Sequence, residues 1–260
     1  MSAEIAKENS NRYKNIKTIL VSQPKPERSP YYKLEESYGL TIDWRPFIHV
    51  EPVDSKEFRK TKIKPDEYTA IIFTSKLSID HFFRICEDLR IKVSGDMKYF
   101  CLTEAIANYL QKFITYRKRK VFVGKRTVQD LEAAFMKHKD KEKFLLPCSN
   151  LGSKNVSNFL TEKGFDWQDA MMYRTVSSDL SDLSDVKYDV LIFFSPLGIK
   201  SLYENFPDFT QDATRIAVFS NSTSKEVLDR GLIIDIKAPS PESPSMTMAL
   251  ENYLKISNPK

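Results

Sequence analysis

The chain has 260 residues, 41% of them hydrophobic and 29% charged, which excludes a disordered polymer and leaves room for one large domain or two ordinary ones. A net charge of +5 is modest for this length, and Lys and Arg are spread along the chain except in YRKRK, Tyr116 to Lys120. With no RNP, zinc-finger or helix-turn-helix signature around it, that run reads as the solvated entrance of a strand, and no nucleic-acid partner is expected.

MSAEIAKENSNRYKN, at the N-terminus, has no apolar core of the kind a secretory signal needs. No apolar run approaches the roughly 20 residues of a membrane helix, so neither export nor membrane insertion is expected. Cys86, Cys101 and Cys148 form no C-x-x-C pair, and they read as small buried hydrophobes in a reducing cytoplasm.

Along the chain, short apolar runs alternate with amphipathic segments of helix length. The runs are TILVS (18 to 22), AIIF (70 to 73), YFCL (99 to 102), VFV (121 to 123), FLLP (144 to 147), VLIFF (190 to 194), IAVF (216 to 219) and LIIDI (232 to 236). Continuous apolar strands of this length, separated by helices, predict an α/β fold with parallel sheets covered on both faces. Ser29–Pro30 and Ser243–Pro244 read as helix starts, and Gly39 closes the helix that the first pair opens. Gly198 opens IKSLYENF, and Asn221 or Ser222 caps TSKEVLDRG, which Gly231 ends. TIDWRPFIHVEPV from Thr41 and DWQDAMMYRTVSSDL from Asp166 are strand-like and suited to cross between lobes as a pair. SSDLSDLSDV, after Val176, reads as a surface loop.

One phrase is written twice. YTAIIFTSKLSIDHF from Tyr68 recurs without gaps as YDVLIFFSPLGIKSL from Tyr188, 120 positions on, with Ser75 matching Ser195. YFCLTEAIA from Tyr99 lies over IAVFSNSTS from Ile216, and TILVSQP pairs more weakly with KFLLPCSN. Three such pairs predict two similar α/β lobes rather than a solenoid.

Several chemistries are disfavoured. Neither G-x-G-x-x-G after the first strand nor a P-loop exists among only seven glycines, and no G-x-S-x-G surrounds a serine. His49, His81 and His138 have no carboxylate or thiol at ligand spacing, so no metal site is expected. What recurs is a hydroxyl or amide where a strand's carboxyl end meets the next helix: Ser22, Thr74 and Ser75, Thr103, Ser149 and Asn150, Ser195, and Ser220 to Ser224. That edge of an open α/β sheet is where ligands bind, with free N–H groups and a positive dipole end turned toward anions. Two such edges facing each other would make a donor-rich cleft for a polycarboxylate or polyphosphate. Each residue taken singly is also an ordinary helix cap. Tyr173, near the end of a strand, could project its phenol into such a cleft or simply pack.

The ordered motifs carry a resemblance. FTS before an amphipathic helix, LLPCSNLGSKNVSNFLTEKGFDWQDAMMYRTV, FFSPLGIKSL, IAVFSNSTSKEVLDRGL and APSPESPSMTMAL together resemble the uroporphyrinogen-III synthase family, from about Ile19 to Leu254. The resemblance implies two flavodoxin-like parallel-sheet domains joined by a two-stranded connection. The first is discontinuous, residues 1–47 and 178–260, and the second, 48–177, is inserted into it.

It also implies a cytoplasmic, cofactor-free monomer that closes hydroxymethylbilane, a linear tetrapyrrole bearing carboxylates, to uroporphyrinogen III with inversion of the last ring and loss of water. Tyr173 matches the family tyrosine held to assist departure of the hydroxyl. Substrate contacts are expected from Thr74, Ser75, Lys76, Thr103, Ser149 and Asn150 in one lobe, and from Ser195, Gly198, Ser222 and Thr223 in the other.

The chain departs from the family where G-P-T-T-A is common, having Ser220, Asn221, Ser222, Thr223 and Ser224 instead. It departs again at Cys101 to Ile106, in place of V-G-x-x-T-A, and at Lys76, in place of a proline. These losses leave open a second reading, a non-catalytic two-lobed binder of a tetrapyrrole or other polyanion.

Overall fold

A computed structural model describes residues 15–183 and 185–259, so most of the polar N-terminal stretch lies outside the described residues. In chain order the first elements are β1 (Thr18–Val21), α1 (Tyr31–Tyr38), β2 (Thr41–Trp44), β3 (Ile48–Pro52), α2 (Ser55–Lys60), β4 (Ala70–Phe73), α3 (Lys76–Asp88), β5 (Lys98–Cys101) and α4 (Glu104–Leu110). Then come β6 (Val121–Val123), α5 (Glu132–His138), β7 (Phe144–Ser149), α6 (Lys154–Glu162) and β8 (Trp167–Ser177). The last are β9 (Val190–Phe193), α7 (Pro196–Asn205), β10 (Arg215–Phe219), α8 (Asn221–Asp229), β11 (Ile236–Ala238) and α9 (Met246–Ser257). Among the described residues no helix is long and apolar enough to cross a membrane.

The chain divides into two compact units, one made of the chain up to His49 together with the chain from Val176 onward, the other of Val50–Thr175. The first holds a sheet of order β11-β10-β9-β1-β2, and the second unit's strands follow the order β3-β8-β7-β4-β5-β6. The three matched phrases therefore occupy equivalent places: β9 and β4 are central, β10 and β5 lie on one side of them, and β1 and β7 on the other. The two units are circular permutations of one strand order.

Both central strands are wholly buried, as a parallel sheet covered on two faces requires. Side chains alternate between faces: Ile71 and Phe73 join a cluster with Phe82 and Ile85 of α3, while Ala70 and Ile72 join Phe100, Phe135 and Phe144 on the other side. In the first unit Val190 and Ile192 pack with Leu250 of α9, and Leu191 and Phe193 with Leu202 of α7. The three thiols are buried as their sequence context predicts, and burial pushes those of Cys86 and Cys101 up to about 12.

Several expected boundaries move. The run 41 to 53 is two strands rather than one, broken at Arg45–Phe47, where Pro46 has no N–H for a ladder. The crossing pair is β3 with β8, antiparallel: Ser178 N–H donates to Phe47 O, and Val53 N–H to Met172 O. LIIDI is not the last strand. Gln211 Nε2 donates to Ile233 O, Ile233 N–H donates to Gln211 Oε1, and Asp235 Oδ2 accepts from Ile216 N–H, so side chains take most of the ladder's place before Asp235 N–H donates to Ile216 O and β11 starts at Ile236.

Helix starts also shift: Ser245 rather than Ser243 caps α9, Ser220 rather than Asn221 or Ser222 caps α8, and Ser195 rather than Gly198 opens α7. Pro30, not Ser29, occupies the cap position of α1, although Ser29 Oγ accepts from Tyr31 N–H. Gly39 and Gly231, at φ 62° and 72°, end α1 and α8 as predicted.

Phe100 stacks on Phe135 with centroids 4.5 Å apart and on Phe122 at 4.7 Å, and is fully buried. Phe100→Ala should therefore lower the stability of the inserted unit by about 3–5 kcal/mol in urea unfolding, and a loss below about 1 kcal/mol would contradict this packing.

Candidate functional site

Each sheet reverses its strand order at one point, between β4 and β7 in the inserted unit and between β9 and β1 in the other. Strand ends part at such a point, leaving a crevice over helix N-termini. The sequence places hydroxyls at all four of these ends: Ser75, Ser149, Ser195 and Ser22.

In the inserted unit, Ser75 caps α3 in extended conformation. Its Oγ accepts from Ser78 N–H at 3.0 Å, while Ser75 N–H donates to Ser78 Oγ at 3.2 Å. The same Oγ lies 3.4 Å from the Tyr173 hydroxyl. Tyr173 arrives there because β8 carries an extra residue: Cys148 is opposite Met171, but Ser149 is opposite Tyr173. A bulge of this kind re-aims side chains, and both Met172 and Tyr173 turn to the buried cluster on the α3 side.

Three further contacts hold this corner. The His81 ring lies over the Tyr173 ring at 4.8 Å between centroids, 16° from parallel. Arg84 donates to Val53 O at 2.8 Å and to Met172 O at 3.2 Å. Arg174, just beyond Tyr173, grips Glu57 with both terminal guanidinium nitrogens and holds that carboxyl below the usual carboxylate range. Burial pushes the Tyr173 phenol above its ordinary pKa, partly offset by the Ser75 hydrogen bond. The phenol therefore stays protonated.

The other expected residues of this unit fall into two groups. Thr74 is half-buried beside Ser75, Lys76 is exposed with its ammonium 5.4 Å from the Tyr109 ring, and Thr103 caps α4 by accepting from Ile106 N–H. Ser149 Oγ accepts from Leu151 N–H, and both ends of the Asn150 amide meet the Thr175 backbone. Asn150 thus ties the β7 end to β8.

In the other unit Ser195 caps α7, accepting from Gly198 N–H at 3.2 Å. A Cβ on Gly198 would lie 3.3 Å from Phe193, 3.7 Å from Ser195 Oγ and 3.8 Å from Ser22 Oγ, so glycine lets these two hydroxyls share one corner. Ser222 is exposed and Thr223 fully buried, each with its hydroxyl close to Ser220 Oγ, at 3.0 and 3.1 Å. Ser220 has φ 88° and ψ 155°, backbone that is almost exclusively a glycine's. Among the described residues no three His, Cys, Asp or Glu side chains gather where they could hold a metal ion.

Residues 30–248 match the family described as Uroporphyrinogen-III synthase HemD. The chain belongs to that family. A uroporphyrinogen-III synthase of Chlorobaculum parvum is 24% identical over 256 residues, covering 92% of this chain and all of its own. Among solved structures, uroporphyrinogen-III synthetase of Helicobacter pylori 26695 is similar with a TM-score of 0.57 at 18% identity, over 92% of this chain and 99% of that one. A mutant uroporphyrinogen III synthase of Thermus thermophilus gives 0.55 at 15%, with the same coverage. These two likenesses show the fold, two parallel-sheet α/β domains.

Within the family frame, Ser220 stands where the resemblance expects glycine, and it keeps the glycine backbone. The sequence shows the lost glycine but not the conformation that replaces it. His81 falls inside the doubled phrase but has no histidine counterpart in its second copy, Arg84 lies beyond that phrase, and nothing in the sequence alone marks either as part of this corner.

Holding serine in that backbone region costs about 1–3 kcal/mol, whereas replacing a serine cap by glycine costs only a few tenths. Ser220→Gly should accordingly raise stability by about 1 kcal/mol in urea unfolding. Ser220→Ala, which removes the cap and keeps the strain, should lower it by about 1 kcal/mol; equal effects of the two substitutions would contradict the assignment.

Proposed function

We propose that this chain is a uroporphyrinogen-III synthase, which closes hydroxymethylbilane to uroporphyrinogen III with inversion of the last ring and loss of water. The observation that carries the reading is the Tyr173 phenol, kept protonated by burial and set 3.4 Å from the Ser75 cap at a topological switch point.

Departure of the substrate's terminal hydroxyl needs a proton or a strong hydrogen bond on the leaving oxygen, and a protonated phenol supplies one. Loss of that hydroxyl as water leaves an electrophilic azafulvene. Attack on it by a substituted pyrrole carbon forms a spiro intermediate, whose reopening and reclosure turn the last ring round. Unassisted closure gives the uninverted isomer, so the protein's main contribution is to hold a conformation.

Helix N-termini at the two sheet edges suit carboxylate side chains in that role. Ser75, Thr103 and Ser149 offer donors on one unit, with Thr74 and the exposed Lys76 beside them. Ser195 and Ser222 offer theirs on the other, with Gly198 leaving room beside Ser195, while buried Thr223 supports the α8 cap and Asn150 supports the β7–β8 edge. A non-catalytic binder is the reading that the lost glycine favours; against it, Ser220 still adopts a backbone conformation typical of glycine.

Tyr173→Phe should leave the circular dichroism spectrum and KM unchanged and lower kcat by about 10²-fold, because the hydrogen bond matters only as the hydroxyl departs. An unchanged kcat would relegate Tyr173 to packing. Since its pKa is raised, turnover should not fall through Tyr173 ionisation below the ordinary phenol value of about 10, which a pH–rate profile checks.

A further inference from the structure

The contacts around Tyr173 come largely from one helix. Ser75 at its cap meets the hydroxyl, His81 covers the ring, and Arg84 donates to the carbonyl of Met172, the residue just before Tyr173 at the bulge. Arg84 also donates from Nε to His81 Nδ1 at 3.4 Å. A guanidinium has only donors, so Nδ1 must be the unprotonated nitrogen and the imidazole proton sits on Nε2. Burial first and the Arg84 charge next lower the pKa of the imidazole, against the opposing pull of Asp80. Arg84 is itself anchored to Asp88 at 2.9 Å, one turn further along the helix.

We propose that Arg84 and His81 are positioning residues for the Tyr173 phenol, one fixing the bulge from which Tyr173 springs and the other clamping its ring. The inference rests on the reading of Tyr173 as the group that assists hydroxyl departure. Its geometry explains why a strand bulge, otherwise a flexible irregularity, presents one defined phenol orientation. Met172 O accepts from both Val53 N–H and Arg84, so the extra residue is bonded on the connector side and the helix side together.

The test pairs kinetics with a probe that needs no activity. Full-length protein carrying 3-fluorotyrosine is observed by fluorine NMR, and the Tyr173 resonance among the twelve tyrosines is assigned by its disappearance in Tyr173→Phe. His81→Ala, which removes the stacked ring, should move that resonance, Arg84→Gln should move or broaden it, and His81→Phe should leave it close to its place. With hydroxymethylbilane, His81→Ala and Arg84→Gln should each lower kcat by roughly ten- to hundredfold with KM little changed, and His81→Phe should stay within about threefold of the parent. Neither loss should recur in the Tyr173→Phe background, as expected of residues that act through one group.

An unmoved Tyr173 resonance in both variants overturns the proposal, as do losses that multiply with that of Tyr173→Phe. A resonance that moves while Tyr173→Phe itself is kinetically silent overturns it in a different way: the clamp exists, but the reading of Tyr173 has failed.

Discussion

Two-sided burial of parallel sheets is the constraint from which the rest of this molecule follows. A strand such as Ala70–Phe73 or Val190–Phe193, buried on both faces, can be followed by a parallel neighbour only through a crossover helix. Each crossover begins at the carboxyl edge of the sheet, so helix N-termini collect on one edge of each unit. Their unpaired N–H groups need oxygen partners, and Ser75, Thr103, Ser195 and Ser220 are all caps for that reason. An edge that must carry hydroxyls to end its helices also carries the donors that a polycarboxylate needs. On the proposed reading, fold and substrate grip draw on the same residues there.

A second, local constraint picks out one point on those edges. The bulge opposite Cys148 and Ser149 breaks the alternation of β8 and turns two successive residues, Met172 and Tyr173, to the same buried side. Without it Tyr173 would face the opposite side of the sheet. The bulge is bonded by Val53 and Arg84, and the phenol it presents is flanked by Ser75 and His81. Membership of the uroporphyrinogen-III synthase family gives this corner its context, and the proposed chemistry asks of it only a protonated hydroxyl in a fixed direction.

Much of the fold was legible because burial on two faces writes itself as uninterrupted apolar runs: AIIF and VFV coincide with β4 and β6 residue for residue. The doubled phrase was legible for the same reason, and its halves are the two central strands with their caps. What escaped depended on pairing across the chain. The start of β11 is hidden because Gln211 and Asp235 side chains stand in for a ladder that the apolar LIIDI promises. The bulge exists only in the register between β7 and β8, and neither strand spells it alone. His81 has no metal-ligand spacing to announce it, and its partners are a ring on a remote strand and an arginine one turn away. Ser78 stands where the second copy of the phrase has Gly198, and it completes the capping box that holds Ser75.

The central claim concerns the outcome of ring closure, and the most direct measurement is the isomer composition of the product. Purified full-length protein is given enzymatically made hydroxymethylbilane, the product is oxidised, and the type I and type III isomers are separated by chromatography. The account predicts that type III predominates and forms faster than type I does in buffer alone. Formation of type I alone, at the spontaneous rate, would contradict it.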